Sequence, residues 1–138
     1  RARIRPEQSN RRAALEGAIE IARSDPPSIV QGDMIEALPG LIEEIPADVP
    51  VVVYSTLVLY QVPAAVREAL TDILEGAMAR RQLHWLSGDG VYGDSDGITL
   101  EWTRSSDGDV RTDLLAAFEQ HGRWIEWRPD AEALISDT

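Results

Sequence analysis

Three short polar segments are the best candidates for chemistry in this 138-residue sequence. They are Gly32-Asp33-Met34, Tyr54-Ser55-Thr56 and Ser87-Gly88-Asp89, and each comes at the end of a predicted strand. In open α/β sheets, ligands bind beyond the carboxyl ends of the strands. An aspartate at such a place can accept a hydrogen bond from an exocyclic amine while the next backbone amide donates to a ring nitrogen, which suits adenine. Asp33 is also well placed to cap a helix, and the two roles are compatible.

The sequence gives little support to metal-dependent or hydrolytic chemistry. It has no cysteine, and all 13 of its basic residues are arginine, which excludes thiolate nucleophiles, Schiff-base lysines and Walker-type phosphate loops. Neither His84 nor His121 has a second histidine at metal-ligand spacing, and the turn-prone segment 94–97 lacks the flanking ligands of a calcium loop. We therefore expect no metal, and no catalytic residue is identified. A hydrolase that uses Asp33, Asp89 or His84 is a minor alternative.

Composition and charge limit the class of protein and its partners. The length and the hydrophobic fraction of 43% are those of one globular α/β domain over 1–138. No apolar run reaches the roughly 20 residues that span a bilayer, and the N-terminus lacks the apolar stretch of a signal peptide. The net charge of −11 opposes nucleic-acid binding, because phosphates require a basic face. We expect no membrane or nucleic-acid partner and, without cysteines, a cytoplasmic protein. Since the chain begins at Arg1, we interpret it as a piece of a longer protein.

The first part of the sequence predicts two helices with a short strand between them. The first helix covers 7–23 with Ser9 as its N-cap. A short apolar strand is predicted over 28–31. Asp33 then begins a second helix, which we expect to bend or restart at Pro39-Gly40.

A strand–helix–strand unit follows and completes a parallel α/β part over 28–87. The strand over 49–54 has apolar residues at consecutive positions, which predicts burial on both faces. Pro63 opens the next helix, and Arg80-Arg81 suit the dipole at its end. The strand over 83–86 completes a crossover, which predicts a parallel, right-handed connection.

The pattern then changes: residues 98–103 alternate between apolar and polar side chains, which is typical of a one-sided strand. The predicted order is a glycine- and aspartate-rich loop over 88–97, strands over 98–103, 110–118 and 123–127, and turns at Ser106-Asp107-Gly108 and His121-Gly122. Together these form a meander over 98–128. A tail over 129–138 ends the chain.

Two of these segments resemble class I S-adenosylmethionine-dependent methyltransferases. The sequences from Val30 to Pro39 and from Val51 to Tyr60 are similar to the third and fourth strands of those enzymes, with Gly-Asp and Leu-Pro after one strand and a serine-containing loop after the other. The antiparallel ending is also similar to theirs. The resemblance implies the C-terminal half of that fold: an open mixed sheet in which parallel crossover strands flanked by helices precede an antiparallel meander.

The chain also resembles a bacterial family of unknown function whose fold is expected to be methyltransferase-like. The likeness runs from about Pro6 to Arg128. It is carried by the segments 11–15, 51–60, 84–87 and 121–127.

The resemblance implies a cofactor and a set of binding residues. The cofactor would be S-adenosylmethionine, with Asp33 and Met34 at the adenine and Tyr54 and Ser55 near the methyl donor and acceptor. The glycine-rich turn and the ribose-binding acid of such enzymes are missing from this sequence, so we expect a portion of a methyltransferase-like protein that is inactive alone. The alternative is a non-enzymatic interaction domain that retains the fold and forms a homodimer through exposed sheet edges.

Overall fold

A computed structural model describes residues 9–92, 97–106 and 108–128. The chain divides into two compact units, Arg1–Gly32 and Asp33–Thr138. The single α/β domain over 1–138 stays a prediction. The first unit contains helix α1 (Ser9–Ser24), which confirms the predicted helix over its described part. On its surface Arg12 and Glu16, one turn apart, form an ion pair at 2.9 Å.

The strand predicted over 28–31 does not form. Residues 26–31 have no regular secondary structure, and Ile29 is 86% exposed. A strand is stabilised by its ladder to a neighbour, and no described strand pairs with this segment. Pro26-Pro27 favours an extended backbone here without requiring a sheet.

The second unit is a mixed open sheet with two helices. Its elements are α2 (Met34–Glu44), β1 (Val51–Thr56), α3 (Ala64–Met78), β2 (Leu83–Tyr92), β3 (Gly97–Ser106), β4 (Asp109–Glu119) and β5 (Ile125–Trp127), with a 3₁₀ turn at Leu59–Gln61. The strand order is β1-β2-β3-β4-β5. β1 pairs with β2 in parallel, and the other three pairs are antiparallel. The predicted parallel pairing of the two strands around α3 and the antiparallel meander are therefore confirmed, whereas the parallel part does not extend to 28–31.

Helices α2 and α3 cover one face of β1 and β2. The core between them consists of Ile42, Val51, Leu59, Leu70, Leu74, Ala77, Met78 and Leu83. Leu70, Leu74 and Met78 are spaced four residues apart on α3 and are buried on one side of it, and burial of each such side chain contributes roughly 1.5–3 kcal/mol. Pro39 lies inside α2 without ending it, so the helix does not restart at Pro39-Gly40, and the predicted bend stays a prediction. The proline removes one internal hydrogen bond, whereas the helix still buries Ile42.

Strand β1 is not buried on both faces, contrary to the sequence-based expectation. Val51 is 6% exposed, but Val52 and Tyr54 are 59% and 63% exposed. The reason is its position: β1 lies at the edge of the described sheet, and α2 and α3 pack on the face of Val51 and Val53. Successive side chains of a strand point to opposite faces, so the other half of the apolar run is left open.

Strand β2 extends over 88–92, where the sequence predicts a loop. Its glycines have a packing role. A Cβ on Gly88 would lie 2.7 Å from Thr56 Oγ1, and one on Gly90 would overlap the Thr99 hydroxyl on β3. The turn-prone segment 93–96 and the tail over 129–138 lie outside the described residues. Both predicted turns are confirmed by positive φ angles, 91° at Gly108 and 72° at Gly122.

Candidate functional site

A cleft of ≈390 Å³ lies at the carboxyl end of β1. Its lining residues are Met34, Leu38, Val53, Tyr54, Ser55, Thr56, Val58, Leu59, Leu70 and Trp85. Three of the four residues that the resemblance places at a cofactor, namely Met34, Tyr54 and Ser55, are thus brought together. The start of α2 and the end of β1 supply them because both meet at the same edge of the sheet.

Asp33, the fourth of those residues, lies beside the cleft and not in its lining. It is the N-cap of α2, with an extended backbone, and its Oδ1 accepts a hydrogen bond from the Ile35 amide at 2.8 Å. This is the capping role that the sequence suggested. The side chain that follows it, Met34, forms part of the cleft wall.

The polar groups of the cleft are tied to neighbouring elements. Trp85 Nε1–H donates to Ser55 Oγ at 3.2 Å, which fixes the indole against the end of β1. Thr56 Oγ1 donates to the Gly88 carbonyl at 3.3 Å. These contacts give the cleft a rigid floor made of β1 and β2, with apolar side chains from α2 and α3 above it.

Asp89, the acid of the third strand-end segment, serves the backbone. Its Oδ1 accepts from the amides of Val58 and Leu59 at 2.7 and 2.8 Å, so it caps the 3₁₀ turn at Leu59–Gln61 from 30 residues away in sequence. The structure therefore gives Asp33 and Asp89 separate capping roles. His84 lies on the opposite face of the sheet, and the three residues of the hydrolase alternative do not converge.

A polar network on that opposite face was not predicted. Trp102 Nε1–H donates to His84 Nδ1 at 3.1 Å, and the Arg104 guanidinium lies 3.8 Å above the Trp102 ring. Arg104 also binds Asp113, whose other oxygen accepts from Arg111 Nε at 2.8 Å. These are cross-strand neighbours on β2, β3 and β4. Their proximity depends on strand register, which the sequence alone does not determine.

The network shifts the pKa values of two of its members. Burial, and secondarily the charge of Arg104, lower the pKa of His84. Burial raises the pKa of Asp113, but the hydrogen bonds and charges of Arg104 and Arg111 outweigh it and leave that pKa lowered. At neutral pH these shifts favour the neutral form of His84 and the charged form of Asp113.

A second pocket, of ≈430 Å³, adjoins this network. Its lining residues are Val52, His84, Leu86, Leu100, Trp102, Leu115 and Trp127. It lies on the face of the sheet opposite α2 and α3, because Val52 and His84 alternate with the core residues Val51 and Leu83 along their strands.

Neither face carries a recognisable metal centre within the described part of the chain, since no three His, Asp or Glu side chains there could hold an ion together. Among the same residues, no helix is both long and apolar enough to cross a membrane.

Comparison with known proteins identifies the family. No curated protein matches the sequence, and no solved structure matches it. A family model described as "Uncharacterized protein conserved in bacteria (DUF2332)" matches residues 1–127. Because the matched residues make up well over half of the chain, the chain belongs to the DUF2332 family.

Proposed function

We propose that the cleft at the carboxyl end of β1 binds S-adenosylmethionine, and that the chain is the C-terminal portion of a methyltransferase-like protein. The observation that carries the proposal is that Met34, Tyr54 and Ser55 line one cleft. Asp33 precedes Met34 at the same helix end. The volume of ≈390 Å³ lies in the range of about 300–1,000 Å³ that small-molecule sites occupy.

The start of α2 supplies what an adenine ring requires. Asp33 uses Oδ1 as a cap, so its second carboxylate oxygen can accept from the exocyclic amine. The first amides of a helix have no partner within it, so the Met34 N–H can donate to a ring nitrogen. Leu38 and Val53 provide apolar walls for the ring faces.

The chemistry would come from the cofactor, and the protein would position it. S-adenosylmethionine carries a reactive sulfonium, so donor and acceptor need chiefly to be held in line. Tyr54 and Ser55 lie at the strand end where that alignment would be set. No histidine, aspartate or glutamate lines the cleft as described, so we assign no general base.

Calorimetric titration with S-adenosylhomocysteine tests the proposal. We expect saturable binding that Asp33→Ser weakens about tenfold, because serine caps a helix as well as aspartate but cannot reach the amine with a charged acceptor. Met34→Glu should abolish binding, because it places a carboxylate among the apolar walls of the cleft. The variant should still fold, because an acidic side chain is favourable at the start of a helix. Val52→Asp, on the opposite face, is the control and should bind normally. A folded protein that gives no binding heat would overturn the proposal.

The edge of β1 supports a second candidate, a domain that assembles with another copy. The Val51 amide donates to Gln82 and the Leu57 amide donates to Gly88 on β2. Since alternate residues point their amides to opposite sides of a strand, the amides of Val52 and Tyr54 face the open edge. An edge of this kind can pair with a second copy.

Sedimentation equilibrium distinguishes this second candidate from the first. If edge pairing operates, the weight-average molecular mass should rise with protein concentration. Val52→Pro should abolish this rise, because it removes an amide that points to the open edge, at a position where a strand tolerates proline. Val52→Ala keeps that amide and should still assemble. A protein that stays monomeric over the accessible concentrations would contradict edge pairing and leave the cleft proposal untouched.

A further inference from the structure

The pocket on the open face of the sheet has the composition of a ligand site. Six of its seven lining side chains are apolar, and the seventh is His84. Small-molecule sites are typically apolar with a few converging polar groups, and the ≈430 Å³ of this one lies within their usual range of about 300–1,000 Å³. Trp102 and Trp127 offer two aromatic surfaces.

The hydrogen bond from Trp102 determines what His84 presents to the pocket. Because an indole N–H can only donate, Nδ1 of His84 must be the unprotonated acceptor of that bond. The proton of the neutral ring is then on Nε2, which has no partner among the described residues. His84 therefore provides one free hydrogen-bond donor at the wall of an apolar pocket.

An excess of positive charge lies next to His84. Arg104 is paired with His84 across β2 and β3, and with Arg111 across β3 and β4. The two arginines share the single carboxylate of Asp113, so the group carries one net positive charge in a protein whose net charge is −11. Arg111 binds Asp113 through Nε only, and its side chain is 56% exposed, so its outer nitrogens can reach a second anion.

We propose that this pocket binds an apolar carboxylate. The apolar body would contact Leu86, Leu100 and Leu115 between the two tryptophans, and the carboxylate would accept from His84 Nε2–H near the paired arginines. Apolar contact supplies the affinity, and the charge selects an anion over a neutral molecule. The site lies on the face opposite the proposed cofactor cleft and does not depend on it.

Binding of 2-naphthoate to the full chain, followed by ¹H–¹⁵N NMR, tests the proposal. We expect saturable shifts of the Trp102 indole signal and of the amides of His84 and Leu86. The neutral isostere 2-naphthamide should bind at least about tenfold more weakly, because it loses one charge-assisted hydrogen bond. Equal binding of the two molecules would overturn the proposal, as would shifts confined to the residues of the β1 cleft.

Three variants complete the test. Val52→Asp places a negative charge at an exposed position of the pocket wall, so the variant should fold normally. Its carboxylate repels that of the ligand, and the affinity for 2-naphthoate should fall at least about tenfold. His84→Phe replaces the imidazole with an apolar ring that has no hydrogen-bond donor, and it should lower the affinity for 2-naphthoate by a similar factor. Met34→Glu alters the other cleft and should leave binding unchanged. Full affinity in folded Val52→Asp would refute the assigned pocket even if His84→Phe fails to fold.

Discussion

Glu119 shows how a single buried carboxylate organises a turn. Its side chain is 3% exposed, and both of its oxygens accept hydrogen bonds from the turn that follows β4. It accepts from the amides of His121 at 3.0 Å and Arg123 at 3.2 Å, and from Arg123 Nη2 at 3.0 Å. With Gly122 at a positive φ of 72°, these bonds bring the chain back so that β5 can pair with β4.

This arrangement predicts a specific acid sensitivity. The hydrogen bond from the Arg123 side chain, helped by the amides of Arg123 and His121 and opposed by burial, lowers the pKa of Glu119 from 4.5 to about 2. The unfolded chain therefore binds the proton more tightly. The stabilisation is complete above pH 4.5 and is lost as the pH falls from there through about 2. Urea unfolding of wild type and Glu119→Gln should show a stability difference that shrinks over this interval. A difference that does not change with pH would contradict the assignment.

The residues of the candidate sites differ in how well the sequence indicates them. Tyr54 and Ser55 lie at the end of β1 and Met34 begins α2, and such places can be located from local pattern alone. His84 and Trp102 meet only through the pairing of β2 with β3. That pairing shifts register between Ser87 and Gly90, and a shift of this kind leaves no reliable local pattern.

At the scale of the elements, Arg81 links the two helices to the first strand. Its Nη1 donates to the carbonyls of Ile42 and Ile45 at 2.7 and 2.9 Å, and its Nη2 donates to those of Pro46 and Val49 at 2.8 and 2.7 Å. On sequence alone, Arg81 suits the dipole at the end of its own helix. The structure shows instead that it holds the end of α2 and the loop that enters β1.

We expect Arg81→Ala to lower the free energy of unfolding by roughly 2–4 kcal/mol, since four carbonyls lose a charged donor. Arg81→Lys should recover less than half of this, because an ammonium cannot reproduce the planar fork of the guanidinium. Arg80→Ala is the matched control, because Arg80 is an exposed neighbour, and should cost little. Urea denaturation measures the free energy of unfolding of all three variants. If Arg81→Lys were as stable as wild type, the planar guanidinium would not be needed to hold the four carbonyls.

Most elements were predictable because their periodicity is local. Helix α3 has a regular apolar stripe between Pro63 and its C-terminus, and the hairpin at Gly108 has a strong turn sequence. The errors arose where tertiary context decides. The segment 28–31 is apolar but has no described partner strand, and the glycines of 88–90 resemble a loop until their contacts with Thr56 and Thr99 are known.

The second unit is asymmetric about its sheet. In the described residues of the second unit, one face of β1 and β2 is covered by α2 and α3, whereas the other carries the pocket around His84 and Trp102. The apolar run of β1 predicts burial on both faces, and it does not reveal this difference, because apolar side chains of an edge strand can also lie on an exposed face, as Val52 does. Both proposed ligand sites follow from the asymmetry: one cleft forms where the helices meet the strand end, and the other forms on the face that α2 and α3 leave uncovered.

The charge of the whole molecule predicts how its stability responds to salt. With a net charge of −11, self-repulsion opposes the compact state, and salt screens it over a Debye length of about 10 Å at 0.1 M. At neutral pH, sodium chloride should therefore raise the free energy of unfolding by on the order of 1 kcal/mol as the ionic strength passes about 0.1 M. The same titration at the isoelectric point, near pH 4.5, is the control, because the net charge and its repulsion vanish there. A salt effect of equal size at both pH values would show that chloride or sodium binds specifically and that self-repulsion is not the cause.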